Sequence, residues 1–147
     1  MALLALPPDV AEVAISRVSE AHTMAVTGIG GLFFRSKDPK ALGEWYLIHL
    51  GVGAPEGVWI WNQQAGPTVF QPFKADSDYF PAGQQTMLNL RVDDLEDLMA
   101  SLRAAGIEVI TKPEWDAHPE IGRFARIHDP EGNAIELWQP GSPPSGS

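Results

Sequence analysis

The stretch Gly122-Arg-Phe-Ala-Arg-Ile-His-Asp-Pro-Glu-Gly-Asn-Ala-Ile-Glu-Leu-Trp-Gln-Pro140 decides the reading of this chain. Two runs, 122–128 and 134–139, are rich in aromatic and β-branched residues and short enough to be strands. Between them lies Asp129-Pro-Glu-Gly-Asn133, a cluster of turn-forming residues, so a hairpin is expected. Immediately upstream, 107–110 is a short apolar run. Before that, Leu95, Leu98, Met99 and Leu102 recur at helical spacing after Asp93-Asp94 and before Gly106. Acidic residues crowd the first turn of this helix and Arg103 sits in its last, as the helix dipole favours. With a strand at 87–92, this half reads strand, helix, strand, strand, strand.

The preceding half repeats the order. A strand is expected at 29–35, then Asp38-Pro39 as N-cap and first helical residue, then Leu42, Trp45, Tyr46 and Leu50 on one stripe, with Gly51 as the stop. Strands at 58–63 and 68–73 flank Ala65-Gly66-Pro67. A shift of 56 lays Gly31 on Met87, Asp38 on Asp94 and Leu42 on Leu98; a shift of 66 lays residues 66–70 on 132–136. Identity is low, but strand, cap, helix and last strand occur in the same order, which marks duplication at the level of architecture.

Composition bounds the function. The 147 residues suit one domain, and 44% hydrophobic with 20% charged residues is ordinary for a globular chain. A formal charge of −9 argues against nucleic acid or an anionic membrane as partner. No apolar run approaches the ~20 residues that span a bilayer. The absence of cysteine excludes disulfides and thiolate metal sites and suits a cytoplasmic setting. Residues 1–27 form an N-terminal extension in which Asp9, Glu12 and the stripe Val10, Val13, Ala14, Val18 predict a short helix. The apolar start lacks a positive n-region and is cut by Pro7-Pro8, so no targeting signal is read; Met24 is an alternative start. Residues 28–140 form the domain, with modules 28–75 and 86–140, and 141–147 a Gly/Ser/Pro tail.

The 122–140 stretch, together with Met87-Leu-Asn-Leu-Arg-Val-Asp-Asp-Leu95 and Leu102-Arg-Ala-Ala-Gly-Ile-Glu-Val109, resembles the second module of the vicinal-oxygen-chelate superfamily. That superfamily includes glyoxalase I, bleomycin-resistance proteins, fosfomycin-resistance transferases and extradiol dioxygenases. Residues 28–52 resemble its first module more weakly. The resemblance implies an α+β fold of two tandem βαβββ modules forming an eight-stranded half-barrel, with helices outside and the site in the concavity. On strand alternation, Gly31, Phe33, Arg35, Met87, Asn89, Arg91, Phe124, Arg126, His128, Glu136 and Trp138 would then face the cup.

Metal-binding relatives draw ligands from the first, fourth, fifth and eighth strands. Here the corresponding residues are Gly31, Phe70 or Gln71, Met87 and Glu136. One carboxylate does not hold a catalytic divalent ion, so no metal and no cofactor is expected. A relocated set of His118, His128 and Glu136 is the alternative; His22 and His49 have structural readings. Glu136 is either paired with an arginine across the cup floor or a general acid–base group tuned by burial. Arg35, Arg91 and Arg126 could grip an anionic group of a ligand, or simply pair with nearby carboxylates. The loop 74–85, with Tyr79 and Phe80, is the candidate lid, and the tryptophans could wall a flat ligand.

Two functional readings stay open. The first is a glyoxalase/bleomycin-resistance-like protein that holds a small organic molecule, through Phe33, Arg35, Met87, Asn89, Arg91, Arg126, His128 and Trp138. The second is a lyase or isomerase of the glyoxalase type, with Glu136 as general base or with relocated metal ligands. A homodimer is expected in either case.

Overall fold

The computed structural model describes residues 26–142, so the expected helix of the N-terminal extension and His22 lie outside the described residues. The described chain falls into two units, one ending at Arg35 and one beginning at Ser36. In the first, the described residues 26–35 form no strand and are exposed, Phe33 to 95%.

The regular elements among the described residues all lie in the second unit: α1 Pro39–Leu50, β1 Leu88–Arg91, α2 Leu95–Ala104, a 3-10 turn Pro113–Asp116, β2 Gly122–His128 and β3 Ala134–Pro140. Both helices begin as the sequence predicts. The Asp38 carboxylate accepts from the Ala41 amide and the Asp94 carboxylate from the Asp97 amide, each at 3.1 Å, relieving one of the amides a helix start leaves unpaired. Helix α1 ends at Gly51 in the left-handed region, where the cap amide turns back onto Leu47 and Tyr46 carbonyls. The Gln139 side chain adds a second cap to α2, accepting from the Leu95 amide at 2.7 Å, and so ties β3 to that helix.

The sheet is mixed, in the order β1-β3-β2: β1 runs parallel to β3, and β3 antiparallel to β2. One face packs against both helices. Leu42, Tyr46, Leu95, Met99 and Leu102 meet Ala125, Ile127, Ile135 and Leu137, with Leu88 and Leu90 at the margin. Strand alternation puts every second residue here, so burial of this face fixes the register of all three strands. Gly122 is required at the start of β2: its φ is +130°, and a Cβ there would collide with the Gln139 carbonyl oxygen.

The Asp129–Asn133 turn binds the two ends of this unit together. The buried Asp129 carboxylate accepts from the Tyr46 hydroxyl (2.8 Å), the amides of Glu131 and Asn133, and the Asn133 side chain. Glu131 accepts from the Ser36 hydroxyl at 2.6 Å and the Lys37 amide at 2.7 Å, just ahead of α1. Those donors hold its carboxyl below the ordinary carboxylate range.

The first half departs from its expected plan. Residues 58–63 and 68–73 form no strand, and Trp59 and Phe70 are 89% and 85% exposed. The segment between them is held by a side chain instead: the Arg91 guanidinium donates to the Gln64 carbonyl (2.7 Å) and to the Pro67 carbonyl. The strand expected at 107–110 shrinks to a single bridge, Ile110 with Arg126.

Candidate functional site

The face of the sheet turned away from the helices carries two rows of side chains, set by register. Asn89, Glu136 and Arg126 are direct neighbours on β1, β3 and β2; Arg91, Trp138 and Phe124 form the next row. The first row is polar in a setting where polar groups need partners.

Glu136, 6% exposed, has both carboxylate oxygens engaged: Oε1 accepts from Asn89 Nδ2 at 2.7 Å, and Oε2 from the Tyr79 hydroxyl. The arginine pairing expected for it is not formed; among the described residues no arginine makes an ion pair with this carboxylate. Tyr79 is brought over the sheet by the loop 74–85. Burial, then the Glu136 hydrogen bond and charge, push its phenol well above the ordinary tyrosine value, with Arg126 opposing. The sign follows. A raised phenol is a neutral donor at physiological pH, and its contribution to stability is complete below the unfolded value near 10 and lost at higher pH.

Arg126 lies between two aromatic rings, its guanidinium 4.9 Å from the Tyr79 centroid and 5.7 Å from that of Trp115. The 3-10 turn carrying Trp115 is fixed by Asp116, which accepts from the Phe124 amide at 2.9 Å. One Arg126 nitrogen approaches the Met87 sulfur at 3.5 Å, while Nε is buried with no hydrogen-bond partner. Beside this row Phe124 and Trp138 stack at 6.3 Å, the indole N–H donating to the Ile121 carbonyl. Phe73 completes the aromatic surroundings, 5.6 Å from Tyr79.

The structure thus gathers Met87, Asn89, Phe124, Arg126, Glu136 and Trp138, and brings Tyr79 and Trp115 to them. Tyr79 was legible only as part of a lid; nothing in the sequence aims its hydroxyl at Glu136. Trp115 was legible only as one of the tryptophans that could wall a ligand, because a lone tryptophan in a polar stretch has no periodicity to place it. Arg91 donates to the Gln64 and Pro67 carbonyls, a pairing that neither reading of it had named. Phe33 and Arg35 belong to the other unit and are exposed. His128 is exposed at the end of β2, and His118 pairs with Glu120 at 3.1 Å.

Of the positions that carry ligands in metal-binding relatives, Gly31 has no side chain, Phe70 is apolar, the Gln71 amide nitrogen donates to the Pro72 carbonyl, Met87 offers a soft thioether, and each Glu136 oxygen accepts a hydrogen bond. Among the described residues no three His, Cys, Asp or Glu side chains come together as a cation would need, so the relocated set is not assembled either.

A mixed sheet with helices on one face and a polar, aromatic-flanked row on the other defines a small α+β protein of the glyoxalase kind. The profile of the glyoxalase-like domain family matches residues 31–138, and the chain belongs to that family and, with it, to the vicinal-oxygen-chelate superfamily. Among solved structures it is similar to TnmS3, an antibiotic binding protein from Streptomyces sp. CB03234, with 28% identity and a TM-score of 0.50 over 80% of this chain and 99% of that one. It is also similar to a glyoxalase/bleomycin resistance protein from the same organism, with 23% identity and a TM-score of 0.41 over 70% of this chain and 92% of that one. No curated protein matches its sequence. Among the described residues no helix is long and apolar enough to cross a membrane.

Proposed function

We propose that this chain binds a small organic molecule, without a metal or other cofactor, on the sheet face bearing Asn89, Glu136 and Arg126. The observation that carries the reading is Arg126: a cation stacked between Tyr79 and Trp115, with a buried donor left unpaired, next to an occupied carboxylate. Such a mix of aromatic surface and a few convergent polar groups suits orientation of a ligand. Similarity to an antibiotic binding protein supports the same direction. Met87 and Trp138 would shape the site, and His128 and Arg91 would contact the ligand from its rim. No specific contact favours the enzymatic alternative, with Glu136 as general base; its hydrogen-bond partners are the Asn89 amide and the Tyr79 hydroxyl.

We also propose that the protein works as a cytoplasmic homodimer. The apolar side chains of Trp59, Ile60 and Phe70, exposed in one copy, would be covered there.

Thermal-shift screening against aromatic antibiotics tests the binding reading. A true ligand at ~100-fold its Kd adds about 2.7 kcal/mol of stability, and Arg126→Ala is expected to lose most of that shift. A screen with no stabilising compound, or an Arg126→Ala variant that binds as the parent does, would sink it. A stoichiometric divalent ion in protein purified without chelator would sink its metal-free part.

A further inference from the structure

Resting on that small-molecule reading, we infer that the ligand presents a hydroxyaryl group, and that Tyr79 holds this group's place in the free protein.

The surroundings of the Tyr79 ring describe a phenol point by point. Its hydroxyl donates to a buried carboxylate, Glu136. The Arg126 guanidinium sits over the ring face at 4.9 Å, and Phe73 borders it at 5.6 Å with a 40° tilt. A carboxylate that is already fixed by Asn89 on its other oxygen offers one acceptor position, and it selects a donor. An aliphatic hydroxyl would satisfy that acceptor but leave the cation without a π face; an unsubstituted ring would do the reverse.

Tyr79 is also replaceable. Its loop is built from local bonds: Ser77 amide to Lys74 carbonyl (3.0 Å), Gln84 amide to Pro81 carbonyl (2.9 Å), and Tyr79 amide to the Ser77 hydroxyl (3.3 Å). Among the described residues, the Tyr79 hydroxyl makes the one hydrogen bond that ties 76–83 to the sheet. The loop's C-terminal end is clamped separately, where the Gln84 side chain donates to and accepts from the backbone of Ala134, both at 2.9 Å. Swinging Tyr79 out breaks that hydrogen bond and the ring's contacts with Arg126 and Phe73, all of which an incoming hydroxyaryl would restore, while Gln84 keeps the loop attached.

NMR titration of the full chain with 4-methylphenol and with toluene tests this, in the parent, Tyr79→Phe and Tyr79→Ala. Tyr79→Phe keeps the ring and removes the competing hydroxyl, so 4-methylphenol should bind it about tenfold more tightly than it binds the parent. Tyr79→Ala opens the place entirely and should prefer 4-methylphenol over toluene by about tenfold, the worth of one hydrogen bond to a charged group. Equal affinity for the two probes overturns the hydroxyaryl class, and equal 4-methylphenol affinity in parent and Tyr79→Phe overturns the displacement. If either result accompanies a positive antibiotic screen, the small-molecule reading stands and only this inference falls.

Discussion

The two halves of this chain share a plan and diverge in what the plan becomes. Both start a helix on an aspartate that accepts from the third amide onward at 3.1 Å. Only the later half goes on to a sheet, with β1, β2 and β3 in register, while 58–63 and 68–73 stay unpaired. Caps are local: three residues suffice to make one, so duplication preserves them cheaply. A ladder needs a neighbouring edge. In the later half the five-residue turn 129–133, cross-braced by Asp129, brings β2 and β3 together at small entropic cost. In the earlier half the corresponding connection, 64–67, gives its carbonyls to Arg91.

Mutations on either side should separate the halves. Leu137 is fully buried between the sheet and both helices, and Leu137→Ala should cost about 2–5 kcal/mol in denaturant unfolding. Phe70→Asp, at the exposed counterpart, should leave the unfolding of dilute monomer within about 0.5 kcal/mol. In concentrated protein the same change should shift the dimer toward monomer on gel filtration. A Phe70→Asp variant as damaged as Leu137→Ala would mean that the first half folds into the same core.

Smaller effects probe the turn that joins α1 to the hairpin. Asp129→Ala strands the Tyr46 hydroxyl and three further donors, and should destabilise by about 2–3 kcal/mol, whereas Tyr46→Phe should cost about 1 kcal/mol. Glu131 should show the smallest effect and a pH signature. Its folded value is depressed, so its stabilisation is complete above the unfolded value of 4.5 and is lost as pH falls through the lower folded value. The melting-temperature gap between parent and Glu131→Gln should therefore be constant near neutrality and close in acid; a gap that persists at low pH would assign the effect to something other than charge.

Much of the fold was legible because its signals are short-range. Asp38-Pro39, Gly51, Asp94 and the Asp129–Asn133 turn each act within a few residues, and period-two alternation in 122–139 sorts the helix-facing Ile127, Ile135 and Leu137 from Arg126, Glu136 and Trp138 on the other face. The same local logic misreads 58–73, since alternation of apolar residues says that a segment can pair and not whether an edge is available. The candidate site was half legible for the same reason. Strand parity placed Asn89, Arg126 and Glu136 on one face, but could not say that Asn89 rather than an arginine would satisfy the carboxylate.

Sequence alone thus determined the superfamily, the helix caps, the hairpin and the face on which each strand residue stands, because periodicity and turn chemistry are properties of neighbours along the chain. The partners of Glu136, the stacking of Arg126 between Tyr79 and Trp115, and the diversion of Arg91 to the 64–67 carbonyls were decided by tertiary structure. They join residues 24 to 57 positions apart, or set a ring from a 3-10 turn over a strand, and no spacing rule reaches across such distances.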